Sequence, residues 1–252
     1  MLTKIEGVVL RTRDYGESNK IVTIFTREQG KFAVMARGAK KPKSRLGAAT
    51  QPFTLGFFLC FSGSGMGTIT QAEILESHVH LRSDLLYTAY AAYWVKYLDN
   101  MIQEKEPAPL LYELLLSMLN RLEAGVDPEI LSRIFELRVL ESAGYRPHLD
   151  RCVSCRGTEE PFAFSVQMGG ILCSNCFYRD PHRIPLSSAS ARILKQLQRM
   201  TPDRLGQVQV REETQLQLER VMRCFSDEYT GLKLKSRIFL DQLKRDWGKE
   251  RK

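Results

Sequence analysis

The chain has 252 residues, 43% of them apolar, and a formal net charge of +8, which allows one large domain or two to three small ones with real cores. No apolar run approaches the length of a membrane span, and Met1-Leu2-Thr3-Lys4-Ile5-Glu6 brings opposite charges before any apolar stretch, so neither a membrane-spanning helix nor a signal peptide is expected and a cytoplasmic protein with reduced thiols is. The excess of cations calls for a polyanionic partner, either nucleic acid or an anionic membrane surface, and it is uneven: residues 1–80 hold 11 basic and 6 acidic side chains, residues 81–150 hold 7 and 11, and residues 184–252 hold 15 and 9.

The first 75 residues read as strands. Gly7-Val8-Val9-Leu10 is an extended apolar run, and residues 20–26 are β-branched and aromatic. Residues 31–37 alternate, with Phe32, Val34 and Ala36 on one face and Ala33, Met35 and Arg37 on the other. Residues 52–61 and Thr68 to Leu75 supply two more strands. Five short strands with few helical signals predict a small closed barrel, which leaves no long unpaired edge. An OB-fold fits the count, and a five-stranded SH3-like barrel is the alternative. Gly63-Ser64-Gly65-Met66-Gly67 lies between strands and lacks a following Gly-Lys-Ser/Thr, so it reads as a hairpin loop and not a phosphate cradle.

Between the third and fourth strands, Arg37-Gly38-Ala39-Lys40-Lys41-Pro42-Lys43-Ser44-Arg45 holds five cations in nine residues. Its glycine, proline and serine predict an extended, mobile loop that contacts phosphates without reading sequence. Arg11, Arg13 and Lys20 add charge from adjacent strands. Tyr15, Phe32 and the Phe57/Phe58 pair are candidates for stacking on bases, although alternation buries some of them.

From Leu81 the period becomes helical. Leu85, Tyr87, Ala91, Trp94, Val95 and Leu98 mark one helix, Leu110 to Leu122 a second ended by Gly125, and Asp127-Pro128 caps a third that carries Ile130, Ile134, Leu137 and Leu140 up to Gly144. After the cysteine module, Ser187 caps a helix stopped at Pro202, and another runs from about Glu212 to Gly231. Residues 232–252 carry eight Lys/Arg against three acidic residues and a helix-like apolar stripe of Leu234, Ile238, Leu240 and Leu243.

Cys152-Val153-Ser154-Cys155 and Cys173-Ser174-Asn175-Cys176 are separated by seventeen residues. Two CxxC pairs at this spacing form a four-thiolate site for one structural Zn²⁺, closed to a catalytic water. Phe162 to Val166, Gly169-Gly170 and Ile171-Leu172 between them read as strand, turn, strand, with both glycines serving the hairpin. The unit is a zinc ribbon over about 150–180. His148 and His182 are flanking loop residues, and Cys60 and Cys224 are buried small hydrophobes. Arg151, Arg156, Arg179 and Arg183 surround the module, either to offset a tetrathiolate charge of −2 or to meet nucleic acid.

The expected fold is therefore α+β: an N-terminal five-stranded OB-fold barrel over residues 1–80, then an α-helical domain over residues 81–252 that contains the four-cysteine ribbon. No paired carboxylates or phosphate cradle mark a nuclease or nucleotidyl transferase, so a non-enzymatic binding protein is expected. A zinc-ribbon RNA-binding or transcription factor is the alternative.

Several motifs are similar to those of the bacterial RecO family of recombination mediators and DNA repair proteins. They are Glu6-Gly7-Val8-Val9-Leu10-Arg11, Asp14-Tyr15-Gly16-Glu17, Thr23-Ile24-Phe25-Thr26 through Gly30-Lys31, Ala36 to Lys41, and Gln51-Pro52-Phe53. Gly144-Tyr145-Arg146-Pro147 before the first CxxC, and Gly169 to Cys173, resemble its second half. The resemblance implies an OB-fold and a helical domain, binding of single- and double-stranded DNA, and annealing of complementary strands. It also implies partnership with RecR and contact with the C-terminal tail of single-stranded DNA-binding protein, so that recombinase loads on coated DNA, and hence a nucleoid-associated place in the cytoplasm. Some members of the family lack the cysteines; here all four are present.

Overall fold

The computed structural model describes residues 1–61, 65–204 and 210–250, the last four of these as backbone only. Residues 62–64, part of the expected glycine-rich hairpin, and the end of the basic tail at 251–252 lie outside the described residues. Two compact units divide the chain: residues 1–123 with the segment from 235 onward, and residues 124–234.

The first unit is built on β1 (Leu2–Tyr15), β2 (Asn19–Thr26), β3 (Gly30–Ala36), β4 (Leu55–Phe61) and β5 (Thr68–Glu76), closed into a barrel in the order β1-β2-β3-β5-β4. A short helix, α1 (Arg45–Ala49), joins β3 to β4. The fourteen-residue β1 serves two neighbours: Leu2–Val8 pairs with β4 and Val8–Tyr15 with β2, with a bulge between Val9 and Arg11. The bend needs Gly7, where a Cβ would lie 2.4 Å from Ile24 Cγ2. Alternation fills the interior with Ile5, Val9, Val22, Ile24, Val34, Ala36, Phe58, Cys60 and Ile69. The barrel closes in parallel at β3 and β5, where the Met35 N–H donates to the Gly67 carbonyl at 2.8 Å. Burial pushes the free Cys60 thiol up to about 11, whereas Cys224 is only half-buried.

Helices α2 (Val79–Ser83), α3 (Leu85–Met101) and α4 (Pro109–Glu123) follow, and α8 (Lys235–Glu250) packs against α3. The Asp84 side chain caps α3 by accepting from the Tyr87 N–H. On β2, Phe25 meets Tyr112 of α4 edge-on at 5.7 Å, and the Tyr112 hydroxyl donates to Glu6 at 3.1 Å. Gly30 adopts φ +66 and passes so close to the Glu106 carbonyl that any Cβ would collide with it.

The second unit joins α5 (Pro128–Ser142), α6 (Ser188–Arg199) and α7 (Glu212–Thr230) to a three-stranded sheet ordered β7-β6-β8. Its strands are β6 (Phe162–Ser165), β7 (Gly170–Cys173) and β8 (Ile184–Leu186). Asp127 caps α5 by accepting from Glu129 and Ile130, Ser187 caps α6, and Gly231 ends α7 in the left-handed conformation. Only Gly169 has the positive φ expected of both hairpin glycines. Gly170 opens β7 and is glycine for another reason: a Cβ there would sit 2.4 Å from the His148 carbonyl oxygen. No helix among the described residues is long and apolar enough to cross a membrane.

Candidate nucleic-acid interface and metal centre

One end of the barrel gathers most of the expected DNA-binding cations. Register places Arg13 opposite Ile21, Asp14 opposite Lys20, and Lys20 opposite Ala36, so the β1–β2 turn and the basic segment leaving β3 share that end. The basic segment is not the extended loop expected from its composition. The Gly38 N–H donates to Asn19 Oδ1 at 2.9 Å, the Lys40 N–H to the Ser18 carbonyl at 3.0 Å, and the Lys41 N–H to the Gly38 carbonyl at 3.0 Å. Ala39 is buried in the barrel core. The segment is a series of turns docked on the β1–β2 turn, which holds its cations in place.

Arg37, Lys41, Lys43 and Arg45 are exposed, and with Arg13 they have no ion pair among the described residues. Lys40 differs: its Nζ lies 2.7 Å from Asp14. A hydrogen bond from Lys40, reinforced by its charge and that of Lys20, holds the Asp14 carboxyl below its usual 3.8 against a smaller opposing effect of burial. Arg11 stands apart from this end. Its Nε lies 3.1 Å from the buried carboxylate of Asp99 on α3, which Lys31 also meets at 3.0 Å and Lys96 at 3.7 Å. The Asp14–Lys40 and Lys31–Asp99 pairs were not legible because they join positions far apart in sequence, whereas Lys96 lies only three residues before Asp99 on α3.

Of the aromatic candidates, Phe58 is wholly buried and Phe32 packs against the core, which removes both from base stacking. Phe57 lies under the Lys4 ammonium at 4.0 Å. Tyr15 is 53% exposed beside Arg13.

In the second unit the four cysteines converge. The sulfurs of Cys152, Cys155, Cys173 and Cys176 all lie within 4.8 Å of one another, with Cys155 and Cys173 at 3.5 Å. A tetrahedral site with Zn–S bonds near 2.3 Å requires sulfurs about 3.8 Å apart, so the cluster fits a single ion. The first CxxC is a tight knuckle: the Arg156 N–H donates to the Cys152 carbonyl, the Cys152 N–H to the Gly157 carbonyl, and the Gly157 N–H to Cys155 Sγ at 3.4 Å. Val153 joins it to β7 through its N–H to the Ile171 carbonyl. Cys173 ends β7, and Cys176 lies in the following turn of 3-10 helix, Ser174–Arg179. Burial opposes ionisation of Cys152, yet N–H donors from Cys155, Cys173 and Ser154 hold its pKa down at about 6, whereas burial and contact with the neighbouring sulfurs push Cys173 up. Three of the four cysteines are buried, under Phe162, Met168 and Phe177.

The arginines around this centre divide. Arg183 donates to the Phe177 and Asp180 carbonyls and lies over the Phe177 ring, so it braces the turn. Arg179 lies over Tyr178. Arg151 and Arg156 have no ion pair or side-chain hydrogen bond among the described residues.

Comparison with known proteins covers both units. The family model described as Recombination protein O N terminal matches residues 1–78, and that described as Recombination protein O C terminal matches residues 82–238. Proteins named DNA repair protein RecO are similar over 243 residues, which is 96% of this chain: 49% identical in Bacillus pumilus and 48% in Bacillus subtilis, each covered to 95%, and 45% in Halalkalibacterium halodurans, covered to 96%. With both halves matched in order and nearly half of the residues identical, the chain belongs to the RecO family of DNA repair proteins.

Proposed function

We propose that this protein is a non-enzymatic DNA-binding recombination mediator, which anneals complementary strands and helps recombinase load on coated single-stranded DNA. The observation that carries the proposal is the docked cationic segment at one end of the barrel, where Arg37, Lys41, Lys43 and Arg45 stand exposed without counter-ions among the described residues. Lys40, Arg13 and Lys20 share that end, and Arg11 extends the track along β1. Held cations of this kind neutralise phosphates without reading bases. Annealing follows without bond chemistry: screening two backbones lowers their repulsion, and base pairing does the rest.

The barrel's strand order, with a short helix between β3 and β4, supports an OB-fold, a barrel used for single strands. Family membership supports RecR and the tail of single-stranded DNA-binding protein as partners. Cys152, Cys155, Cys173 and Cys176 would hold one zinc ion, which supplies a rigid cross-link and no open coordination position.

The test is a salt titration of binding to single- and double-stranded DNA by Lys40→Glu, Lys41→Glu and Lys43→Glu combined. Affinity falls, and the salt dependence for duplex flattens by up to about 0.9 for each phosphate that is no longer neutralised. Unchanged affinity across the titration overturns the assignment. Annealing of complementary strands coated with single-stranded DNA-binding protein then tests the mediator role.

A further inference from the structure

A cleft of about 720 Å³ opens beside the cysteine cluster, entirely within the second unit. Arg146, Arg151 and Arg156 line it together with His148, Met168 and Gln198. Asp150, an acid in its wall, is already paired: Lys195 lies 3.1 Å and Arg199 2.5 Å from it. Arg146 is paired with Glu141 at 3.2 Å. Arg151 and Arg156 are exposed and, among the described residues, unpaired. The five cations outnumber the two acids, and the charge of −2 on a loaded tetrathiolate centre still leaves an excess of one cation.

Arg156 adds an independent observation. It occupies the left-handed region at φ +61, a conformation that glycine adopts freely and a long side chain does not. The adjacent glycine is used otherwise: Gly157 donates to Cys155 Sγ, and a Cβ there would lie 3.2 Å from that sulfur. An arginine therefore stands at the one knuckle position where its backbone is unfavourable. Stabilising the cysteines does not explain it, because the donors to their sulfurs are backbone N–H groups and the Ser154 hydroxyl, not an arginine side chain.

We propose that this cleft is a second nucleic-acid contact, in which Arg151 and Arg156 bind phosphate groups of the DNA backbone. The inference rests on the DNA-binding reading above and adds a site outside the barrel. Backbone phosphates suit it better than an enclosed small ligand, because the cleft is open and its free cations are long side chains at its rim.

The experiment uses the full chain loaded with zinc and the double variant Arg151→Ala/Arg156→Gly. Glycine suits the left-handed position, so zinc content and thermal stability should match the parent. Single-stranded DNA binding should weaken about tenfold near 0.1 M salt, and its salt slope should flatten by about 1.4, or 0.7 for each phosphate left without its arginine. Arg151→Glu alone, outside the strained position, repeats the measurement should the double variant lose metal. An unchanged slope in a variant that keeps its zinc overturns the cleft site; if the triple barrel variant still flattens the slope, the proposed function stands. Unchanged slopes in both overturn both. Two competition arms test the ligand: the DNA contact predicts that a mononucleotide and an acidic peptide, each with its phosphates or carboxylates matched in concentration to the oligonucleotide's phosphates, compete weakly. Competition by either that equals the oligonucleotide's, and is lost in the variant, overturns the assignment to backbone phosphate.

Discussion

Arg11 Nε lies 3.1 Å from one carboxylate oxygen of Asp99, while the other oxygen meets Lys31 Nζ at 3.0 Å. The Asp99 and Lys31 side chains are 6% and 11% exposed, whereas that of Arg11 is 52% exposed. Lys31 also donates to the Asp99 backbone carbonyl. One buried acid thus accounts for a buried lysine and steadies an exposed arginine. Removing Asp99 strands the Lys31 ammonium. Asp99→Ala is expected to cost about 3–5 kcal/mol, and Lys31→Met combined with Asp99→Leu to cost far less. Urea unfolding followed at Trp94, buried in the same helix, measures both.

In the proposed interface, Asp14 competes with DNA for Lys40. Its folded pKa is depressed, so the pair's contribution to stability is present above the ordinary value of 3.8 and is lost as pH falls through the lower folded value. At neutral pH, Asp14→Asn frees Lys40, and duplex binding should tighten roughly twofold with a salt slope steeper by about 0.9. Weaker binding by this variant would mean that Asp14 serves the interface by orienting Lys40.

Removal of metal should act on one unit. In zinc-loaded protein treated with a chelator, or in Cys152→Ser, amide exchange should rise across residues 148–176, while β1 to β5 keep their protection. Loss of protection in the barrel strands under the same treatment would contradict a local structural role.

Gly170→Ala tests the close approach of two backbones behind the cluster. The new Cβ would lie 2.4 Å from the His148 oxygen and 2.5 Å from Val153 Cγ1, next to Cys152. The expected cost is about 1–3 kcal/mol, with faster release of zinc to a chromogenic chelator. A release rate equal to that of the parent would show that the knuckle and β7 move apart freely.

Features that repeat at short range were legible in the sequence. Asp127-Pro128, Ser187 and Gly231 marked helix ends that the fold uses as caps, and the alternation of residues 31–37 put Val34 and Ala36 in the core. The two CxxC pairs announced the cysteine cluster. Short elements escaped: α1 has five residues starting at Arg45, the end of the basic stretch, and β8 has three with Pro185 at its centre. Long-range partners escaped for a different reason. The basic segment looked mobile because its anchor, Asn19, is nineteen residues from Gly38, and Lys31 looked like another surface cation because Asp99 is 68 residues away. Gly170 looked like a turn residue because nothing local shows that His148 passes over it.

The packing of α8 against α3 has a consequence for how the chain is made. The two helices belong to one compact unit, yet the 111 residues of the other unit, 124–234, are synthesised between them. With α4 also made in between, at ribosomal rates of about 5–20 residues per second α3 waits about 7–27 s for its partner. During that interval the barrel is complete while the α3 surface that receives Leu240 and its neighbours remains uncovered. Until α8 is made, that α3 surface is open to chaperones, and a ribosome stalled between residues 124 and 234 would leave a barrel-bearing fragment prone to aggregate.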